Sequence, residues 1–375
     1  MMRVLYLTNI PSPYRVDFFN ELGKLCDLTV LFETRYSKER DERWVSETET
    51  HYRPVFMRGI RHGVAEAICP EVIKYLSPEK FDIIVVGMYS SPTGMIAIEY
   101  MRLKKIKFIL NTDGGLIKED NGIRHKLKAH FIGAASAWLS TGDMATDYLC
   151  YYGAKREKVY KYPFTSVKRD EIISANSMSG DMKNYMKKQL GIKEEKIILT
   201  VGRFTYEEGY GKGYDSILKA AERIDPSIGI YIVGDEPTEE FIKWKDEKNL
   251  TQVHYIGFQK KNELAKFYAA ADLFVLMTKM DVWGLVINEA MMYSLPVITT
   301  DQCGAGVELV RNGENGYVIP VGDYDSLAEK IAYILSDSNV TCGFGKRSYE
   351  IIFNYTLEQM ADCHYKTFEK LGGDT

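Results

Sequence analysis

Short apolar runs rich in β-branched residues alternate along the chain with longer stretches whose apolar positions recur at helical spacing. In the first half the runs are RVLYLT (3–8), LTVLFE (28–33), DIIVVG (82–87), KFILN (107–111), AWLS (137–140) and KVYKYP (158–163), with helical patterns over 15–25, 95–105 and 121–134. Near-continuous apolar strands separated by helices predict a parallel sheet covered on both faces. The rhythm lapses over 164–194, a polar stretch poor in strand formers. It restarts with KIILTVG (196–202), GIYIVG (229–234), VHYIG (253–257), LFVLM (273–277) and PVITT (296–300). This predicts two doubly wound α/β domains, residues 1–170 and 171–355, facing each other across a cleft, with ligands at the carboxyl ends of the strands. The long charged segment RYSKERDERWVSETETHYR (35–53) reads as a solvated excursion or a mobile flap.

Composition narrows the class. A chain of 375 residues suits two ordinary domains, and 45% hydrophobic with 27% charged residues is the balance of a water-soluble globular protein. No apolar run approaches the ~18 residues of a membrane span. Nothing before Arg3 has the form of a secretory leader, and the six cysteines include no C-x-x-C pair, so a reducing cytoplasm is expected and neither a zinc site nor a disulfide framework is. The net charge of −4 is unevenly divided: residues 1–170 carry 26 Lys and Arg against 21 Asp and Glu, and residues 171–375 carry 22 against 31. That asymmetry is either scatter or an N-terminal half that meets something anionic. RLKKIK (102–107) and RHKLKAH (124–130) predict peripheral contact with anionic membrane, and nucleic acid is not an expected partner.

Candidate chemistry falls just after strands. Arg203 follows KIILTVG and its terminal Gly202; Lys212 lies in the glycine-rich EEGYGKGYDSILKAA, whose last part predicts a helix from near Gly213. Two cations near a helix N-terminus suit a diphosphate, although the spacing is neither G-x-x-x-x-G-K-[ST] nor G-x-G-x-x-G, and exposed cations beside a loop would look the same. GLVINEAMMYS (284–294) predicts a helix from near Gly284, with Asp281 just before it and Glu289 inside it. Both carboxylates suit paired hydroxyl groups. The alternative is a capping Asp281 and an ordinary helical Glu289. In CGAGVELVRNGENGYVIPVGD (303–323), Gly304, Gly306 and Glu308 form either a further diol or phosphate contact or a tight turn. Asp323 and Asp325 open the helix SLAEKIAYILS and read as caps rather than metal ligands, and His125 and His130 read as surface positions on a basic helix. In the N-terminal half, IPSPYR (10–15) and NTDGG (111–115) make Arg15 and Asp113 candidates to face the cleft, or simply turn residues.

Taken in order, VGRF…KG, DVWGLVINEAMMYSLPVITT and GAGVELVRNGENGYVIPVGD resemble the GT-B glycosyltransferases, specifically the retaining family 4, and IPSPYRVDFFNEL and NTDGG resemble its bacterial capsular and exopolysaccharide branch. The resemblance covers nearly the whole chain and implies two Rossmann-like domains, with a C-terminal helix over 356–375 crossing back to the first. It implies a hexosyltransferase moving sugar from a UDP- or GDP-sugar to a lipid-linked or oligosaccharide acceptor, at the inner face of the cell membrane, with no metal and no cofactor. Glu289 would bind the ribose, Asp281 the transferred sugar, and Gly284, Leu285 and Val286 the diphosphate, with Gly202, Gly304 and Glu308 also on the donor. Arg203 and Lys212 would stabilise the leaving nucleoside diphosphate, while Arg15 and Asp113 would serve the acceptor side and Asp113 the sugar. The chain departs from the family pattern in having Asp281 where Glu is usual, a nine-residue Arg203–Lys212 interval, and PSPYR in place of a glycine-rich loop. An epimerase of the same architecture and a non-catalytic nucleotide-sugar-binding scaffold are the competing readings.

Overall fold

The computed structural model describes residues 1–35, 50–62, 65–115, 117, 122–176, 180–204 and 207–372, so most of the charged segment 35–53 lies outside the described residues. The chain divides into two compact units, residues 1–166 together with the stretch from Thr356 onward, and residues 167–355.

In the first unit the strands are β1 (Arg3–Thr8), β2 (Asp27–Phe32), β3 (Arg53–Phe56), β4 (Ile60–His62), β5 (Glu66–Ile68), β6 (Ile83–Val86), β7 (Ile109–Thr112), β8 (Ala137–Ser140) and β9 (Val159–Lys161). Among the described residues, seven form one parallel sheet in the order β3-β2-β1-β6-β7-β8-β9, and β4 and β5 form a separate antiparallel ribbon. The edge strand β3 and the ribbon have no counterpart in the apolar pattern, because at three or four residues each they are too short to register and β4 is exposed throughout. Glu33, just past β2, is buried; it accepts from the Ser91 hydroxyl at 2.5 Å and from the Ala67 amide at 3.0 Å, which ties the ribbon to the sheet. Burial pushes its carboxyl up to about 7, against the opposing effect of those two hydrogen bonds.

The C-terminal helix Leu357–Gly372 packs on helix Pro13–Gly23 of this unit. His364 is its buried anchor, with ring centroids 4.7 Å from Phe18 and 4.3 Å from Tyr162. Nδ1 lies 2.8 Å from the Met360 carbonyl. Burial lowers the imidazole pKa to about 4, so the ring is neutral at pH 7.

The second unit holds β10 (Lys196–Gly202), β11 (Ile228–Gly234), β12 (Val253–Ile256), β13 (Leu273–Leu276), β14 (Val297–Thr300) and β15 (Gly316–Ile319). They form a parallel sheet in the order β12-β11-β10-β13-β14-β15. The interior positions of β10, β11, β13 and β14 are buried throughout, as strands covered on both faces must be. The polar stretch 164–194 contributes two helices to this unit, Arg169–Asn176 and Gly180–Gln189. Lys183 and Lys187 of the latter bind Asp272 at 2.8 and 3.1 Å, and Asp272 in turn accepts the Ile197 amide at 2.9 Å. A helix held by ion pairs needs few apolar residues, which is why this segment reads as polar. Among the described residues, no helix is long and apolar enough to cross a membrane.

Both sheets start near their middle, run outward, and return to the opposite side of their first strand. The order therefore reverses between β1 and β6 and between β10 and β13. In open α/β sheets the loops leaving the two strands at such a reversal diverge and leave a crevice between them.

Candidate active site

In the second unit the loops leaving β10 and β13 carry Arg203, Lys212 and Asp281. The topology thus gathers residues that the sequence holds 69 apart: Lys212 Nζ lies 2.7 Å from Asp281 Oδ2, with about a fifth of each side chain exposed (19% and 23%). The backbone on both sides is fixed. Lys212 ends a short 3₁₀ segment, Glu207–Lys212, that is kinked by left-handed Glu208 and Gly209. Gly213 follows at φ 72°, where a Cβ would come within 1.8 Å of the Met277 carbonyl oxygen. The Gly211 carbonyl accepts the Lys279 amide at 2.9 Å and the Thr278 hydroxyl at 3.1 Å, stapling the Lys212 loop to the end of β13. The Lys212 stem passes close to Gly202, where a Cβ would stand 3.2 Å from its Cγ.

Asp281 is held equally firmly. Its amide donates to the Gln302 carbonyl at 2.9 Å and its carbonyl accepts from Gly304 at 3.1 Å. Gly304 has to lack a side chain, since a Cβ would meet the Val282 carbonyl oxygen at 2.3 Å. Gly284 caps helix Leu285–Met292 at φ 93°, and a Cβ there would stand 2.8 Å from the Cys303 sulfur and 3.8 Å from Asp281 Cγ. Leu285 and Val286 open the first turn of this helix, where backbone amides lack intrahelical partners and the helix dipole favours an anion. Cys303 is not a nucleophile in this setting: it is buried, its thiol sits 3.1 Å from the Trp283 carbonyl, and burial pushes its pKa up to about 12.

Glu289 is half-buried one turn into the helix and is not in contact with the Lys212–Asp281 pair. Its Oε2 accepts from the Tyr268 hydroxyl at 2.9 Å, and Tyr268 stacks on Tyr293 with centroids 5.7 Å apart. Burial raises its pKa, opposed by the Tyr268 hydrogen bond and by Lys261. The other carboxylate oxygen makes no hydrogen bond to a described residue. Tyr268 gave no sign in the sequence, because an aromatic residue at helical spacing reads as core. The same holds for Trp283 and Asn288, both buried, whose Nε1–Oδ1 bond of 2.8 Å locks the turn between Asp281 and Glu289.

The remaining candidates separate. Arg203 is exposed directly after β10, while the next amide, that of Phe204, donates to Asp235. Glu308 is half-buried on the short helix Gly304–Leu309. Asp323 caps helix Tyr324–Ser336 by accepting the Ser326 amide at 3.0 Å. His130 is exposed and meets Glu99, whereas His125 is half-buried against Tyr151 and Tyr152. In the first unit Arg15 Nη2 lies 3.3 Å from Asp113 Oδ2. The Asp113 carbonyl accepts from Thr141 at 3.4 Å, and Arg15 Nε donates to the Tyr14 hydroxyl at 3.1 Å.

Residues 181–350 match the family model described as Glycosyl transferases group 1. The N-acetyl-alpha-D-glucosaminyl L-malate synthase of Bacillus anthracis is 28% identical over 187 residues, covering 48% of this chain and 47% of that protein. The capsular polysaccharide biosynthesis glycosyltransferase CapM of Staphylococcus aureus is 27% identical over 184 residues, covering 48% of each. The chain spans about half the length of these curated relatives. Among solved structures, Anabaena Alr3699/HepE in complex with UDP is 16% identical, with a TM-score of 0.78 over 98% of this chain and 100% of that one. Residues 181–350 are thus similar to the glycosyl transferases group 1 family, in a chain whose two Rossmann-like domains have the GT-B fold.

Proposed function

We propose that the protein is a retaining family 4 glycosyltransferase of surface-polysaccharide assembly, moving a hexosyl group from a nucleotide sugar to a lipid-linked or saccharide acceptor. The observation that carries this reading is the pair of Lys212 and Asp281 at the strand-order reversal of the second sheet, beside the helix that begins at Gly284. That turn offers a cation and backbone amides to a diphosphate, and a carboxylate to sugar hydroxyls. The Alr3699/HepE structure contains UDP, which makes a uridine nucleotide the first donor to try.

In this reading Glu289 accepts from the ribose through the oxygen that Tyr268 leaves unused, and Asp281 holds the sugar. As the anomeric carbon–oxygen bond breaks, Lys212, Arg203 and the amides of Leu285 and Val286 take up the charge growing on the diphosphate. Such groups stabilise the transition state more than the ground state. In this reading the Lys212 ammonium and the Arg203 guanidinium do the work of a divalent ion, so EDTA should leave turnover unchanged. Arg15 and Asp113 serve the acceptor. The reading is tested by product analysis with UDP- and GDP-sugars: a glycosylated acceptor with the donor's anomeric configuration supports it. Isomerised donor in the absence of acceptor would point to an epimerase, and binding without turnover to a scaffold.

The protein would work against an anionic membrane. Leu103, Ile123 and Leu127 stand 81%, 85% and 46% exposed among Lys104, Lys105, Lys107, Arg124 and Lys126, and the contact of His130 with Arg102 joins the two segments into one surface. Apolar tips in a cationic field suit a negatively charged bilayer. Phosphatidylserine-containing vesicles should bind the protein at low salt and phosphatidylcholine vesicles should not; equal binding to both would contradict the assignment.

A further inference from the structure

The Lys212–Asp281 pair raises a difficulty for any diphosphate ligand: the cation meant to receive it already holds a carboxylate at 2.7 Å. Both partners sit on backbone that is hydrogen-bonded to a neighbouring loop. The Lys212 loop is stapled through Gly211 to Lys279 and Thr278, and Asp281 is stapled through Gln302 and Gly304. Only the side chains can exchange partners. We propose that Asp281 is a built-in competitor for the diphosphate, and that the intact nucleotide sugar is the one ligand able to satisfy both members of the pair at once.

The inference rests on the donor reading above and adds selectivity to it. When the whole donor enters, its diphosphate takes Lys212 and its sugar hydroxyls take Asp281, so the exchange leaves no charge without a partner. After transfer the sugar is gone. Asp281 then has no hydroxyl to hold, returns to Lys212, and displaces the nucleoside diphosphate. The site thereby favours substrate over product, and product release is assisted by the residue that had gripped the sugar. A carboxylate that has exchanged the Lys212 ammonium for no more than the Trp283 amide, 3.4 Å from its Oδ1, is unfavourable beside a diphosphate, and that cost falls on the product complex alone.

The test is a set of calorimetric titrations on the full chain, using whichever of UDP, GDP, ADP and TDP binds the wild type most tightly, together with a corresponding nucleotide sugar. Asp281→Asn, nearly identical in size, should bind the nucleoside diphosphate about five-fold more tightly, the scale of a partly exposed ion pair. It should gain nothing toward the nucleotide sugar. Lys212→Ala should weaken the diphosphate, and adding Asp281→Asn to it should then have no effect. Unchanged or weaker diphosphate binding by Asp281→Asn would overturn the inference while leaving the donor reading intact. So would a full five-fold gain that persists in the Lys212→Ala background, since that would be simple repulsion and not competition for one cation. A Lys212→Ala variant with wild-type diphosphate affinity would overturn the donor reading itself. Thermal unfolding of each variant separates these results from loss of fold.

Discussion

Each unit sets a cation beside a carboxylate beyond the carboxyl ends of its strands, and the two pairs are built by different means. In the second unit the pair is held by backbone: left-handed Gly213 and Gly284, the close approach at Gly304, and carbonyl staples from Gly211 and Gln302. In the first unit a single left-handed glycine, Gly114 at φ 95°, follows Asp113, and side chains do the rest. Arg15 faces the Tyr14 ring at 5.5 Å, and beneath lies a buried set in which Tyr6 binds Asn111 and Asn111 donates to the Tyr162 hydroxyl at 3.0 Å. A site made of turns constrains glycine positions and helix starts but leaves most other side chains open. A site made of interlocking side chains can be rebuilt in many ways. Under the proposed function, the first construction would suit a ligand part shared by many donors, such as a diphosphate, and the second would suit an acceptor.

This contrast is easiest to break through the cations. Lys212→Ala should lower kcat by ~10²–10³-fold, as when one preorganised donor is removed from an anion-stabilising site, and should do so for every acceptor, water included. Arg15→Ala should reduce transfer to the acceptor and leave slow hydrolysis of the donor as it was. Equal losses of hydrolysis in the two variants would erase the proposed division of labour.

A second prediction concerns the packing that supports the first unit. His364 has a folded pKa of about 4 against its ordinary 6.5. Its contribution to stability is therefore present above pH 6.5 and lost as pH falls toward 4, by up to about 3 kcal/mol for a shift of this size. Denaturant titrations of wild type and His364→Leu at pH 7.5 and pH 4.5 should show a smaller pH dependence in the variant. An unchanged pH slope would remove His364 from the account. The smallest expected effect lies in the second unit. Trp283→Phe deprives buried Asn288 of a donor and should cost about 1–2 kcal/mol of stability while raising the KM for the donor more than it lowers kcat. A loss confined to kcat would mean that the turn from Asp281 to Glu289 is set by something else.

The same contrast explains what the sequence revealed. Apolar runs announced nearly every strand of both parallel sheets, and Gly213 and Gly284 announced the starts of their helices, because a buried strand and a left-handed cap each demand a narrow choice of residue. The ribbon of β4 and β5 was silent, since its three-residue strands depend on Glu33 reaching Ser91 and the Ala67 amide across 58 and 34 residues of chain. Arg15 and Asp113 could be named as candidates, but their pairing could not, being a contact across 98 residues. That Lys212 holds Asp281 was equally hidden. Each residue suggested a ligand contact on its own, and only the reversal of strand order between β10 and β13 turns them toward each other.

The central claim is that the second unit grips a nucleoside diphosphate with Glu289 on its ribose. Its most direct test is calorimetric titration of UDP, GDP, ADP and TDP into wild type and Glu289→Ala. The account predicts that at least one of the four binds wild type and that its affinity falls by ~1.5–3 kcal/mol in the variant, the worth of a hydrogen bond to a charged group, with the fold unchanged by circular dichroism. No binding by any of the four, or equal affinity in the two proteins, would contradict it.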